Sequence, residues 1–227
     1  EEAEKNVLNA LTTESFLKIE QINQQEVNRN LFKNKNLVVL NGINEISSGL
    51  TADLVSFSKM GGAIFFIPGE NINTGQINFL LEQLGLPVII SQRTADLNTS
   101  KIAFEDPFFK SIFEQSDESL NLPYYHRIYT SNYRNNEAIP LMFLRDGSPV
   151  FFKSMKQSFA FYSDLSSKSS DLVNKSIFPV ICIRIAELSK RQSSLYHFIG
   201  QNELIPINVS SKSESLIKIK KESAEFI

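Results

Sequence analysis

The side chains best suited to nucleophilic or acid–base chemistry are few in this sequence, which has one cysteine and two histidines in 227 residues. Cys182 lies inside an apolar run, and because a thiol buried among apolar groups is inert, we interpret it as a core residue. His126 follows two tyrosines and His197 stands between two aromatic residues, a context typical of strand residues rather than of catalytic bases. Zinc needs three or four clustered ligands, and the sequence has no such cluster, so we expect no metal site.

Two carboxylates stand where strands of a predicted sheet would end. Glu70 follows the apolar run AIFFI within the turn PGEN, and Asp164 follows the run FAFYS. Asn41 comes directly after a third apolar run, LVVL. Because open α/β sheets bind ligands outside the carboxyl ends of their strands, we expect a crevice lined by Asn41, Gly69, Glu70, Asn71 and Asp164. An Asp after a strand is also a routine turn cap, so this pairing of carboxylates stays open.

Phosphate-binding and nucleic-acid-binding signals are absent from the sequence. Neither the G-x-G-x-x-G pattern nor the Walker pattern occurs. The formal net charge is -2 and the basic residues are spread out, so there is no electrostatic reason to expect a nucleic-acid partner. Aromatic and basic residues meet at Tyr124 to Arg127, where a half-exposed strand is favoured over a stacking surface for a sugar or nucleotide. We therefore expect no cofactor.

The elements that would position the crevice alternate between strands and helices. Buried strands are predicted at residues 37–42 and 63–67, and helices at residues 47–60 and 74–84, with Thr74 as a helix cap. This order with short connections is typical of a parallel βαβ arrangement in an α/β fold. Further strands are predicted at residues 16–22, 124–129, 139–144, 149–153 and 159–163, and further helices at residues 3–12, 106–113 and 175–190.

The domain organisation predicted from these patterns is one large domain with a small appendage. Residues 1–192 carry the α/β pattern, and residues 193–227 carry short β patterns at 195–199, 205–209 and 216–219. We interpret residues 193–227 as a β appendage or the start of a following module. No stretch approaches the about 20 apolar residues that a transmembrane helix needs. Because the chain starts at Glu1 without Met or a signal peptide, we expect it to be part of a longer protein.

Residues 37–71, with LVVLNG at 37–42 and SSGLTADLVSFSKMGGAIFFIPGEN at 47–71, resemble a known family. This is the class I glutamine amidotransferase-like domain of large membrane-anchored proteins of Bacteroidetes-type bacteria, which begin with a BatA-type (aerotolerance regulator) double-transmembrane region. The DPFF motif at 106–109, the hairpin around Gly147 and the YHFIG run at 196–200 follow in the family's order.

The resemblance implies a flavodoxin-like three-layer αβα fold with a mostly parallel sheet, added β-hairpins and a short C-terminal β extension. It also implies a first strand just before Glu1. Finally, it implies a position on the extracytoplasmic (periplasmic) face of the inner membrane, anchored by segments outside this chain.

A class I amidotransferase needs a Cys nucleophile on a tight strand-to-helix turn, with a His base and an acid that orients it. The resemblance assigns this turn, called the elbow below, to residues 68–71, which contain no Cys, Ser or Thr. We therefore predict a pseudo-enzyme: a non-catalytic interaction domain whose partners are other envelope proteins or other domains of the same chain. Two alternatives stay open, a small-molecule or glycan-binding domain that uses the crevice, and a hydrolase in which Glu70 acts by an unorthodox carboxylate mechanism.

Overall fold

The structure, a computed structural model, describes residues 2–110, 112–113, 121–133, 137–190, 219–221 and 224–226. Its contacts divide into two compact units, residues 1–191 and 192–227. In the second unit, strands β8 (Ile219–Lys221) and β9 (Ala224–Phe226) pair as an antiparallel hairpin. The first unit contains, in chain order, α1 (Glu2–Thr12), β1 (Leu37–Ile43), α2 (Ser48–Lys59), β2 (Ala63–Pro68), α3 (Thr74–Gln83), β3 (Ile89–Ile102), α4 (Pro107–Lys110), β4 (Tyr124–Ser131), β5 (Ile139–Leu144), β6 (Pro149–Lys153), β7 (Ser158–Phe161) and α5 (Ile177–Leu188).

The predicted crevice lies at one end of a seven-stranded sheet with the order β1-β2-β7-β6-β5-β3-β4. Strands β1, β2 and β7 run parallel, so that Val39 lies beside Phe65 and Phe65 beside Phe159. Strand β2 is buried along its whole length, as its continuous apolar sequence predicts for a parallel strand covered on both faces. The α/β class and the alternation of strands and helices between β1 and α3 are confirmed.

The expectation of a mostly parallel sheet holds only for β1, β2 and β7. The remaining pairs, β7–β6, β6–β5, β5–β3 and β3–β4, are antiparallel. The physical reason is the length of the connections. Strands β5, β6 and β7 follow one another through short turns, which join antiparallel neighbours, whereas a parallel connection needs a crossover of about a dozen residues or more.

Strand β4, at the far end of the sheet, bonds back to the chain that follows β7. The backbone N–H of Tyr129 donates to the carbonyl of Tyr162 at 2.7 Å. The N–H groups of His126 and Arg127 donate to the carbonyl of Ser169 at 2.8 and 3.1 Å. Because β6, β5 and β3 lie between β7 and β4 in the sheet, these bonds mean that the antiparallel half curls back on itself. The curl brings β4 side chains to the carboxyl ends of β2 and β7.

Two apolar clusters pack against the sheet. Phe65 and Ile67 of β2 belong to the cluster that includes residues of α1, α4 and α5, and Ile64 and Phe66 belong to the cluster that includes residues of α2 and α3. This division follows from the alternation of side chains across a strand. Burial of these side chains is the main term that stabilises the unit. The largest fully buried aromatic side chains are Tyr125, Tyr162, Phe57, Phe65, Phe66, Phe108, Phe109, Phe151, Phe152, Phe161 and Phe178.

Three local predictions differ from the structure. Residues 16–22 form no strand; Phe16 and Ile19 are 47% and 39% exposed, and no neighbouring strand supplies a hydrogen-bond ladder. Helix α3 is capped by Asn73, whose side chain accepts from the N–H of Gln76 at 3.3 Å, one residue before the predicted cap Thr74. Strand β3 was not predicted, because its first half is mostly polar and exposed; it is held by its pairing with β4.

The remaining predicted elements fall as follows. The helices predicted at 3–12 and 175–190 are α1 and α5, and the helix predicted at 106–113 is described as α4. The strands predicted at 195–199 and 205–209 lie outside the described residues, and the one predicted at 216–219 meets β8 at Ile219. In the described ranges, no helix combines the length and the apolar character required to cross a membrane.

Candidate functional site

The elbow at residues 68–71 follows directly on β2 and packs tightly against the loop after β1. The N–H of Gly69 donates to the carbonyl of Ile43 at 3.0 Å. A Cβ atom at position 69 would lie 2.2 Å from Oδ1 of Asn44 and 2.8 Å from the carbonyl oxygen of Gly42. Glycine is therefore required here by the close approach of the two loops.

Asn44 is the residue that ties these loops together, and the sequence analysis did not single it out. Its Oδ1 accepts a hydrogen bond from the N–H of Asn71 at 3.0 Å, and its carbonyl accepts from the N–H of Asn73 at 2.6 Å. Backbone N–H groups at a strand-to-helix turn are the donors that an oxyanion hole would use. At this elbow the donors of Gly69 and Asn71 are already bonded inside the protein.

Arg127 of β4 lies at the centre of the candidate site. One of its terminal nitrogens donates to Oε1 of Glu70 at 2.9 Å and lies 3.5 Å from Oδ2 of Asp164. The guanidinium also donates to the hydroxyl of Ser169, from Nε at 3.1 Å and from the same terminal nitrogen at 3.0 Å. Arg127 therefore joins the elbow to the chain after β7. We call Glu70, Arg127, Asp164 and Ser169 the Arg127 cluster.

Asp164 is the most buried charged member of the Arg127 cluster, with 7% of its side chain exposed, against 27% for Arg127 and 41% for Glu70. Its Oδ1 accepts from the N–H of Ser166 at 2.9 Å, and its Oδ2 accepts from the hydroxyl of Ser169 at 2.5 Å. A buried carboxylate is stable only when it is paired and hydrogen-bonded. The turn-cap interpretation of Asp164 and its membership of the crevice therefore both describe this side chain.

The electrostatics of the Arg127 cluster favour its charged form. The hydrogen bond to Glu70 raises the pKa of Arg127, and the nearby carboxylate of Asp164 acts in the same direction, against a smaller opposing effect of burial. One guanidinium thus lies between two carboxylates in a partly desolvated position. Such bidentate and charge-assisted hydrogen bonds are the strong kind, so the cluster holds the elbow in a fixed position.

Tyr129, two residues after Arg127, covers the backbone of the elbow. Its hydroxyl lies 2.7 Å from the carbonyl oxygen of Gly69 and 2.9 Å from that of Glu70. The side chain of Gln92 on β3 donates to the Glu70 carbonyl as well, at 3.0 Å. Burial, followed by the charge of Asp164, raises the pKa of Tyr129 to about 12. The ribbon of β3 and β4 therefore supplies the partners of the elbow.

Alkaline pH is expected to destabilise the protein through its buried tyrosines. Burial raises the pKa values of Tyr125, Tyr129 and Tyr162 above the ordinary value of about 10. Their neutral forms are favoured by folding, so this stability is complete below pH 10 and is lost as the pH rises through the folded-state values. Each tyrosine contributes a slope of up to about 1.4 kcal/mol per pH unit in that window. Denaturant titrations from pH 8 to 11.5 should show a shallower fall for Tyr129→Phe than for the wild type; equal slopes would contradict this.

The residues predicted to line the crevice do not all meet in one place. Gly69, Glu70 and Asn71 form the elbow, and Arg127 links Glu70 to Asp164. Asn41 lies within β1, opposite Ile67 of β2, and the loop residue Asn44 takes the position beside the elbow. The prediction missed Arg127 and Asn44.

The remaining candidate residues lie apart from the Arg127 cluster. His126 bonds through Nδ1 to Oδ1 of Asp96 at 3.0 Å on the exposed face of the ribbon. The predicted candidate His197 lies outside the described residues. In the part of the chain that the structure describes, no three His, Cys, Asp or Glu side chains lie close enough together to hold a metal ion.

Cys182 of α5 is 1% exposed, and burial raises the pKa of its thiol to about 12. At pH 8 about one thiol in ten thousand is then ionised, and the thiolate is the reactive form. We expect an aromatic disulfide reagent to label Cys182 only as fast as the protein unfolds, in contrast to the free cysteine used as a reference. Labelling within seconds under native conditions would show that this thiol is accessible.

Two open depressions lie elsewhere on the first unit. One of about 380 Å³ lies between the ends of α2 and α3 and the β6–β7 turn, next to Lys59, Met155 and Lys156. The other, of about 320 Å³, lies between the beginnings of α2 and α3, next to Thr51 and Phe79. Neither is lined by a member of the Arg127 cluster.

Comparison with known proteins gives a likeness in fold. No family model matches this chain, and no curated protein matches it in sequence. Among solved structures, the N-terminal domain of mmIFT52 is similar, with a TM-score of 0.53 and 14% sequence identity over 81% of this chain and 89% of that chain. At this identity the likeness concerns the fold alone.

Proposed function

We propose that this chain is a non-catalytic interaction domain of a larger membrane-anchored cell-envelope protein. In this proposal it lies on the extracytoplasmic, periplasmic side of the inner membrane, and its partners are other envelope proteins or other domains of the same protein. The location and the flavodoxin-like three-layer description of the fold follow from the family resemblance of residues 37–71 and the motifs after them. The non-catalytic role is argued from the elbow and the Arg127 cluster.

The observation that carries the proposal is that the protein's own side chains fill the edge where a reaction would occur. Arg127 bonds Glu70 at 2.9 Å, and Tyr129 lies against the carbonyl groups of Gly69 and Glu70. A nucleophilic carboxylate has to approach the substrate without a competing cation on its attacking oxygen. Glu70 has such a cation, so its pairing favours a structural role for this residue.

The second supporting observation concerns transition-state stabilisation. The N–H of Gly69 donates to Ile43 and that of Asn71 donates to Asn44, so neither points at a position where an oxyanion would form. Removing one oxyanion donor lowers the rate of an acyl-transfer enzyme by about 100- to 1000-fold. An elbow with both of these donors bonded internally supports binding of a partner surface better than it supports acyl transfer.

The enzyme alternative is tested by assaying the purified chain for hydrolysis of glutamine and of an activated ester, beside Glu70→Gln. The proposal predicts no turnover above the buffer blank for either protein. Turnover that Glu70→Gln abolishes would overturn the proposal and support the carboxylate mechanism. Turnover that is equal in both proteins would also overturn the non-catalytic role and would exclude Glu70 as the group responsible.

A second candidate function, binding of a small polar molecule or a glycan, is favoured by one specific observation. The Arg127 cluster is polar and remains open to solvent, with 41% of the Glu70 side chain and 27% of the Arg127 side chain exposed. A ligand with hydroxyl or carboxylate groups could replace the Glu70–Arg127 hydrogen bond. Thermal-shift measurements against sugars and nucleotides test this, because a ligand that binds the folded state raises Tm. Stabilisation that Arg127→Ala abolishes would favour this candidate over the interaction domain.

A further inference from the structure

The outer edge of β1 has the side-chain pattern of a strand that lies inside a sheet. β1 is the terminal strand of the sheet, yet residues 37–40 are all apolar. Leu37 and Val39 pack against one apolar cluster, and Val38 and Leu40 belong to the other. Continuous apolar runs are typical of parallel strands with neighbours on both sides, whereas edge strands usually carry charges, proline or bulges.

The backbone of β1 has unused hydrogen-bonding groups at this edge. The N–H of Ala63 donates to the carbonyl of Asn36 at 2.9 Å, which fixes the phase of the parallel ladder. Alternate residues of a strand point to opposite sides, so Val38 and Leu40 bond β2, while Leu37 and Val39 point away from it. Across the described ranges, no backbone hydrogen bond reaches Leu37 or Val39 from this outer side.

Residues 17–27, which we call the strap, pass along this edge without pairing with it. The strap begins at Leu17, which packs with one apolar cluster, and ends at Val27, which packs with the other, on the opposite face of the sheet. Between them Glu20 contacts Lys35, just before β1, and the side chain of Gln24 donates to the carbonyl of Glu45, just after β1. The strap therefore runs from one end of β1 to the other.

The strap is weakly held over most of this path. Its two side-chain anchors are exposed: the side chains of Lys35 and Glu20 are 38% and 51% exposed, and Gln24 makes one hydrogen bond of 2.9 Å. Ile19, in its middle, is 39% exposed. Exposed ion pairs contribute little to stability, and no ladder adds to them. Moving the strap away from β1 therefore disrupts few interactions.

From these observations we propose that the outer edge of β1 is a docking site for an extended partner strand that is apolar on both of its faces. The incoming strand displaces the strap, pairs with the outward groups of Leu37 and Val39, and extends both apolar clusters by one strand. Main-chain hydrogen bonds supply affinity in this mode, and alternating side chains supply specificity. The occupant is a strand rather than a helix because the free groups follow the strand spacing of β1.

This inference rests on the proposed interaction role and names the surface that serves it. The probe is a soluble peptide with the β2 sequence AIFFI between pairs of lysines, because that sequence already pairs with β1 on its inner edge. The control peptide has the same length and carries proline at alternate positions. Binding is followed by NMR titration of the β1 and strap amides in the intact chain.

Three variants sharpen the result. Glu20→Gln and Gln24→Ala, combined, remove the strap anchors and should tighten peptide binding several-fold. Val39→Pro removes one outward N–H at an edge position where proline is tolerated, and should weaken binding at least tenfold. If Val39→Pro does not fold, hydrogen exchange in the wild type replaces it: the Val39 amide should exchange fast alone and become protected with the peptide.

The expected result is a set of shifts confined to β1 and the strap with the AIFFI peptide, and none with the proline control. Equal binding of both peptides, or no binding to the strap-anchor variant at millimolar peptide, would overturn the docking site. Neither result would bear on hydrolysis or on sugar binding, so failure of this inference is distinguishable from failure of the proposed function.

Discussion

Replacement of Arg127 by alanine is expected to lower the free energy of unfolding by about 2–3 kcal/mol. The change removes the cation that lies between Glu70 and Asp164, and it leaves Asp164, whose side chain is 7% exposed, without its guanidinium partner. Breaking a buried pair by removing one partner typically costs about 3–5 kcal/mol. We take a smaller figure because the Arg127 side chain is 27% exposed and solvent screens part of the interaction.

Two matched variants show whether the loss comes from this geometry. Arg29→Ala removes an arginine whose side chain is 75% exposed and 3.9 Å from Asp53, and should change stability by less than about 0.5 kcal/mol. Arg127→Lys should recover less than half of the loss, since an ammonium group does not reproduce the planar array of donors to Glu70 and Ser169. Urea unfolding of the three variants measures these values. An Arg127→Ala variant as stable as Arg29→Ala would mean that the cluster is not formed in solution.

Replacement of Asp106 by alanine is expected to be at least as destabilising, by about 3 kcal/mol. Oδ1 of Asp106 accepts from the N–H of Phe108 at 2.8 Å and from Nζ of Lys153 at 2.5 Å. The side chains of Asp106 and Lys153 are 12% and 20% exposed, so the variant leaves a largely buried ammonium group unpaired. The same carboxylate fixes the start of α4, which carries the buried Phe108 and Phe109 into the core.

The adjacent residue provides the control for this experiment. Glu105→Ala removes a carboxylate whose side chain is 96% exposed, 3.9 Å from Lys110, and should have an effect below about 0.5 kcal/mol. Asp106→Asn retains an acceptor for the Phe108 N–H and should lie between the two. Thermal and urea unfolding give the ranking. Equal stabilities for Asp106→Ala and Glu105→Ala would show that the pair with Lys153 contributes nothing.

Most of the parallel part of the fold could be predicted because its signals are local. The continuous apolar sequence of β2 and the helical spacing of Leu54 and Phe57 in α2 identify their elements without reference to the rest of the chain. Strand formation at residues 16–22 was predicted on similar alternation and is wrong. A strand needs a partner for its ladder, and the sequence does not state whether one is available.

The candidate site could be predicted only in part, because half of it comes from distant strands. Gly69 and Glu70 follow from the apolar run that ends at the elbow, and Asp164 follows from the end of β7. Arg127 and Glu70 are 57 residues apart, and their contact depends on the curl of the antiparallel half of the sheet. Since β4 pairs with β3, which was not predicted, no local pattern could have placed Arg127 at the elbow.

The most direct test of the central claim is a double-mutant cycle between Glu70 and Arg127. The claim is that the guanidinium of Arg127 occupies the elbow edge and bonds the only carboxylate there that could act as a nucleophile. Unfolding free energies of Glu70→Ala, Arg127→Ala and the double variant give the coupling between the two side chains. The account predicts a coupling of about 1 kcal/mol, reduced from that of a fully buried pair by solvent screening. Additive effects, with a coupling near zero, would mean that Glu70 is free and would contradict the account.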